Sequence, residues 1–280
     1  MGRNSVIEWT NHTWNPWRGC HKISPGCAQC YMFREQRRWG HKPDEVMRAK
    51  DTTFRSPLNW PGPAYVFTCS WSDFFIEEAD EWRGEAWDII RATPLIYQIL
   101  TKRVENVAER LPTDWGDGWN NVWLMASAEN QEWLERRING LLSIPAVLHG
   151  LSLEPLLGPV DLSKYLLCQQ YPGPMIEPRK GTIGGKAMPA ARFHPPLSWV
   201  IVGGESDRKA PRPMELDWAR SIIEQCRAAG VACFVKQLGS AWAGEAGAKD
   251  WKGADPSEWP ADLQVRQFPD KKREEADEVQ

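Results

Sequence analysis

Apolar runs of four to seven residues recur along the chain, each followed by charged or hydroxyl side chains and then by a segment of helical periodicity. Six runs read as strands: Ala64 to Ser70 (AYVFTCS), Pro94 to Leu100 (PLIYQIL), Asn121 to Ala126 (NVWLMA), Ala146 to Leu151 (AVLHGL), Trp199 to Val202 (WVIV) and Val231 to Val235 (VACFV). Helices are predicted around 31–39, 79–92, 131–142 and 216–229, with a short one after residue 103. Unbroken apolar runs are what parallel strands covered on both faces require. With one more strand expected just before the cysteine-bearing loop at 12–31, the pattern gives about six or seven βα units. The predicted fold class is therefore α/β, a full or partial (βα) barrel rather than an open doubly wound sheet.

What separates a barrel from an open sheet here is where the polar residues fall. Ser72 and Asp73, Lys102 and Arg103, Ser127 and Glu129, Ser152 and Glu154, Glu205 and Lys236 all lie at the C-terminal ends of predicted strands. Each alone is equally well explained as a helix cap or a loop salt bridge; together they mark one rim, the rim on which barrels place their chemistry. The barrel is expected to occupy residues 1–240. It is interrupted at 162–198 by a Pro- and Gly-rich insertion read as a lid, and followed by an extension at 241–280 whose charged end, 269–280, is expected to be disordered.

Charge and composition narrow the picture. The net charge is −3, but residues 1–60 hold ten Lys/Arg against five Asp/Glu, so an anionic ligand or nucleic acid is expected on that side. The 17 Trp are read as core packing. The start has no apolar leader and no later run approaches membrane-spanning length, so the expected location is the cytoplasm, with no membrane partner. The seven cysteines should then be reduced, which favours a metal site over a disulfide framework. Cys69, Cys168, Cys226 and Cys233 are scattered and read as incidental thiols.

The other three thiols are clustered. His12 to Tyr31 (HTWNPWRGCHKISPGCAQCY) sets Cys20, Cys27 and Cys30 in a C-x6-C-x2-C pattern, on a loop stiffened by Pro16 and Pro25. A zinc site would need a fourth ligand, for which His12, His21 or Cys69 are the candidates, and the second half of a common zinc finger is missing. Three cysteines suffice for a 4Fe-4S cluster with one iron left open for S-adenosylmethionine.

The chain resembles a phage- and prophage-associated family of radical-SAM-like proteins, long catalogued as a domain of unknown function. The resemblance rests on TWNPWRGCHKISPGCAQCY at 13–31, ILTKR at 99–103, LSLEPLLGPVDL at 151–162, WVIVGGES at 199–206 and FVKQLG at 234–239, and spans roughly residues 5–240. It implies a barrel of the radical SAM type, with Cys20, Cys27 and Cys30 holding a 4Fe-4S cluster that cleaves S-adenosylmethionine to a 5′-deoxyadenosyl radical. It implies no substrate. The sequence departs from the general radical SAM pattern in the length of the first gap, in Gln29 rather than an aromatic before Cys30, and in a Gly-Gly-Glu (203–205) that follows a late strand.

Rim position therefore assigns the remaining roles. Ser72, Asp73, Ser127 and Glu129 are expected to bind the cofactor; Lys102, Arg103, Glu154, Glu205 and Lys236 are the catalytic candidates. An electron donor, either a reductant protein or a small molecule, is needed, and a nucleobase, nucleotide or nucleic acid is the expected substrate class. Two other readings compete. A non-catalytic, metal- or cluster-stabilised nucleic-acid-binding module would use Arg18, Lys22, Arg34, Arg37 and Arg38 with Trp14, Trp17 and Tyr31 for stacking. A barrel hydrolase or lyase would use the rim carboxylates, although no G-x-S-x-G or H-E-x-x-H motif is present.

Overall fold

The buried runs assemble in the order in which the chain presents them. In the computed structural model, seven strands form one parallel sheet: β1 (His12–Trp14), β2 (Tyr65–Thr68), β3 (Ile96–Thr101), β4 (Val122–Ser127), β5 (His149–Leu153), β6 (Trp199–Gly203) and β7 (Ala232–Gln237). Their spatial order is β1 through β7 without reversal, so successive crossovers step the same way and the sheet curls into a half-barrel. A doubly wound sheet would reverse direction at a switch point, and this one does not. The structure describes residues 2–166 and 197–269, together with a two-strand pairing of 182–183 with 186–187. Most of the expected lid at 162–198, and the tail from 270, lie outside the described residues.

Strands β4 and β6 are buried along their whole length, which is why they read as unbroken apolar runs. The outer face packs against helices α2 (Asp80–Ala92), α3 (Gln131–Leu142) and α4 (Leu216–Ala229), through residues such as Val66, Ile99, Leu124, Leu151 and Val202. The intervening residues face the other way and form a second cluster of Trp9, Phe67, Trp123, Met125, Trp199, Ile201 and Phe234. Trp199, at the start of β6, gathers Trp9, Trp123 and Phe234 around it at ring separations of 6.0, 5.7 and 6.3 Å. Large rings thus fill the inner face at the N-terminal ends of the strands. Towards the C-terminal ends the residues become small or polar: Ser127, Ser152, Gly203 and Lys236.

Two connections differ from the sequence pattern. After β3 the chain makes two 3-10 turns, Val104–Asn106 and Ala108–Arg110, in place of the short helix expected there. The fourth apolar run pairs three residues later than its hydrophobicity implies, at His149–Leu153, because Pro145 and the exposed Val147 belong to the turn before it. Beyond residue 240 the chain returns to the sheet: the Val235 amide donates to the Val265 carbonyl at 2.7 Å and the Gln267 amide to the Cys233 carbonyl at 2.8 Å, covering the edge of β7. Among the described residues no helix is long and apolar enough to cross a membrane.

Candidate functional site: the cysteine loop on the C-terminal rim

The loop between β1 and α1 (Tyr31–Arg38) carries the three cysteines and is anchored along its length. Its entry, Trp17–Arg18, pairs antiparallel with Met47–Arg48, and the Trp17 indole donates to the Asp73 carbonyl at 3.0 Å. Gly19 turns the chain at φ +90°, and a β-carbon there would overlap the Glu45 carbonyl, so both conformation and space require glycine. The Ser72 hydroxyl donates to the Gly19 carbonyl at 2.5 Å.

Each thiol has its own polar surroundings. Arg103 directs one guanidinium nitrogen to the Cys20 sulfur at 3.5 Å and another to the His21 carbonyl at 3.1 Å. Arg103 is itself buried and lies 3.4 Å from Asp73. Asp73 accepts from the Thr101 hydroxyl at 2.7 Å, the Phe75 amide at 3.0 Å and the Lys102 amide at 2.9 Å, tying the ends of β2 and β3 together. Cys27 closes a single 3-10 turn, Pro25–Cys27, with its sulfur 3.6 Å from the Ser24 hydroxyl. Cys30 is the residue just before the first turn of α1, and its side chain makes no capping hydrogen bond there. A helix N-terminus favours a thiolate in that position.

Glu129 lies beneath this loop, entirely buried. It accepts from Ser24 Oγ at 2.6 Å, from Lys102 Nζ at 2.6 Å and from Arg137 Nη1 at 3.2 Å. Burial works against its charge, but Lys102 and Arg137 outweigh that and hold the carboxyl below the usual carboxylate range. For the thiols burial wins. It pushes Cys20 up to about 12 and raises Cys30, with the neighbouring Cys27 adding to both. Unliganded, these two thiols therefore keep their protons, and a metal would have to displace them.

The rest of the rim divides into two further groups. Glu205 is buried and held by Arg212, whose guanidinium also donates to the Pro25 carbonyl at 3.0 Å, so the loop after β6 clamps the cysteine loop. Arg34 on α1 reaches Asp207 of the same loop at 2.6 Å. Glu154 and Lys236 pair with each other across β6, over Gly203, where a β-carbon would lie 3.3 Å from the Glu154 carboxyl carbon. Both remain partly exposed, at 20% and 18% of the side chain. Ser127 and Ser152 are buried and stand in register on β4 and β5.

The residues marked from the sequence thus gather on one rim in separate groups. Ser72, Asp73, Lys102, Arg103 and Glu129 fasten the cysteine loop, Glu205 reaches it through Arg212, and the Glu154–Lys236 pair stands beside it. Ser24, Arg137 and Arg212 have no marker in the sequence, and Gly26 reads there only as a sharp corner of the loop. Arg137 in particular sits in QEWLERRINGLL, where it is indistinguishable from a solvated helix face, yet it is only 3% exposed. Two open clefts, of about 460 and about 500 Å³, are lined by Arg3, His12 and Pro63 and by Arg91, Asp114 and Trp119 respectively, at the opposite end of the strands and away from these residues.

Among the described residues no three His, Cys, Asp or Glu side chains converge on one point as a single metal ion would require. The two histidine candidates for a fourth zinc ligand are engaged elsewhere. His12 Nδ1 takes the Asn4 amide, His21 bonds to Glu78, and Cys69 is buried under the turn after β2. A tetrahedral zinc site asks for four ligands around one point. Cys20, Cys27 and Cys30 share one loop but have different neighbours, Arg103, Ser24 and the start of α1, and a cluster in which each cysteine bound a different iron would not need them to meet at one point.

Fold and site together define a partial βα barrel with a three-cysteine loop on its C-terminal rim. The chain belongs to the family described as Protein of unknown function (DUF5131), whose profile matches residues 4–275. No curated protein and no solved structure matches it.

Proposed function

We propose that this protein is a radical SAM enzyme acting in the cytoplasm, with Cys20, Cys27 and Cys30 holding a 4Fe-4S cluster. The observation that carries the reading is the placement of three thiols on the first βα loop, at the open end of a half-barrel whose other end is packed with aromatic rings. A cluster bound there would supply an electron for reductive cleavage of S-adenosylmethionine. The chain's own residues do the rest. Arg103 beside Cys20 and the N-terminal end of α1 beside Cys30 favour negative charge on those sulfurs, and Glu129 and Arg212 fix the loop from below and from the side. The partly exposed Glu154–Lys236 pair offers a carboxylate and an ammonium to a bound ligand on the inner face. The electron donor is a reductant protein or small molecule, and the substrate a nucleobase, nucleotide or nucleic acid, as the resemblance to a phage-associated family and the basic first sixty residues favour.

The competing nucleic-acid-binding reading loses two of its three stacking platforms, Tyr31 alone staying half-buried. Trp14 and Trp17 are fully buried with their indole N–H groups bonded to Phe54 and Asp73, and the Tyr31 hydroxyl is bonded to the Ser70 carbonyl. The test of the enzyme reading is anaerobic reconstitution. Uptake of about four irons and four sulfides per chain, with an electron paramagnetic resonance spectrum of the reduced protein that changes on adding S-adenosylmethionine, supports it. A colourless protein that takes up zinc and never iron sinks it.

A further inference from the structure

Lys102, Arg103 and Arg137 stand beside Asp73 and Glu129 beneath the cysteine loop, and of these five only Lys102 has appreciable exposure. The exposed Glu77 lies 4.0 Å from Arg103. Arg103 spends a guanidinium nitrogen on the Cys20 sulfur at 3.5 Å, a weak bond to a neutral thiol and a strong one to a thiolate. Arg137 is fixed by Glu129 and by the Ser127 carbonyl at 2.8 Å, yet its Nη2 is buried with no hydrogen-bond partner. The same Glu129 carboxylate takes the Ser24 hydroxyl at 2.6 Å, and that hydroxyl lies 3.6 Å from the Cys27 sulfur. A buried cation with an unused donor is costly unless negative charge arrives beside it. Thiolates carrying a cluster would bring that charge to Cys20 and Cys27.

We propose that Arg103 and Arg137 are charge-compensating positioning residues for a thiolate-bound iron–sulfur cluster, and that they raise its reduction potential. This rests on the cluster reading above. Fixed positive charge in a poorly polarisable surrounding favours the form carrying the extra electron, and donors to cluster sulfurs act in the same direction. The two arginines come from different elements, the end of β3 and the middle of α3, so their effects are separable.

The experiment is a redox titration, followed by electron paramagnetic resonance, of the reconstituted full chain and of Arg103→Met, Arg137→Met, Arg103→Lys, Arg137→Lys and the distant exposed control Arg91→Met. Iron content and circular-dichroism melts are recorded alongside. Both Met variants should have midpoints more negative than the parent, both Lys variants should recover most of the shift, and Arg91→Met should not move. Met variants that load as much iron as the parent with unchanged midpoints overturn the proposal. If the Met variants do not load, the Lys variants decide: loading with a parent-like midpoint supports charge compensation, and depletion as deep as in the Met variants contradicts it. A parent protein that takes up no iron overturns the cluster reading and this inference together, whereas an iron-loaded parent with arginine-insensitive midpoints overturns this inference alone.

Discussion

Gly26 lies directly over Glu129: a β-carbon at Gly26 would come within 2.8 Å of the Glu129 carboxyl carbon. The turn that presents Cys27 and the buried acid that gathers Ser24, Lys102 and Arg137 are thus built against each other, and neither can move alone.

Gly26→Ala should therefore act as overpacking in a closed interior rather than as a change of turn preference. Displacing the Glu129 carboxylate is expected to cost about 1–3 kcal/mol, read as a lower denaturant midpoint at unchanged slope. The same variant should retain less iron than the parent. A midpoint equal to the parent's would mean that the loop rides free of Glu129.

Glu129→Gln leaves Lys102 and Arg137 facing a neutral amide in a buried setting, and removing one partner of a buried pair costs about 3–5 kcal/mol. The pH dependence has a defined sign. Glu129 ionises below its unfolded value in the folded protein, so its contribution is fully present above the ordinary glutamate range and fades as the pH falls through the folded value. The stability gap between parent and variant, from urea melts across the acid range, should narrow with falling pH. A gap that widened instead would contradict the assignment of an ionised Glu129.

Glu154→Gln and Lys236→Met should separate function from stability. Each partner is about one-fifth exposed, so the pair contributes no more than about 1 kcal/mol. If the pair serves a bound ligand, cleavage of S-adenosylmethionine should fall at least tenfold, about 1.4 kcal/mol of transition-state stabilisation, with thermal melts nearly unchanged. Gly203→Val, which pushes a branched side chain under Glu154, should reproduce the loss. Parent-like turnover in all three variants would remove the pair from the site.

Cysteine replacements should divide into two sets. Ser at Cys20, Cys27 or Cys30 should each abolish most iron uptake. Ala at Cys226 or Cys233, both buried in the core between α4 and β7, should leave iron per chain unchanged and lower stability only modestly. Iron analysis after anaerobic reconstitution checks both, and equal losses in the two sets would argue against a dedicated three-cysteine site.

The parts of this architecture that local pattern governs are readable from the chain. NVWLMA and WVIV are buried on both faces as β4 and β6, and unbroken hydrophobicity reports that directly. The thiol spacing is likewise local, so the cysteine loop stands out from its residue types and intervals alone. What is not legible depends on contacts far apart in sequence. β1 is three residues, HTW, too short and too polar to register a period. Glu129 reads as a rim acid but is sealed beneath the loop, because Ser24 and Lys102 come to it from remote segments. Arg137 gives no signal, since its burial depends on which face of α3 meets Glu129. Gly26 reads as turn chemistry, whereas its role here is clearance.

The measurement that reaches the central claim most directly is formation of 5′-deoxyadenosine from S-adenosylmethionine by the anaerobically reconstituted, reduced protein, run beside Cys27→Ser. The account predicts product from the parent and none above background from the variant. A parent protein carrying its full complement of iron that forms no 5′-deoxyadenosine, or a Cys27→Ser protein that forms as much as the parent, would contradict it.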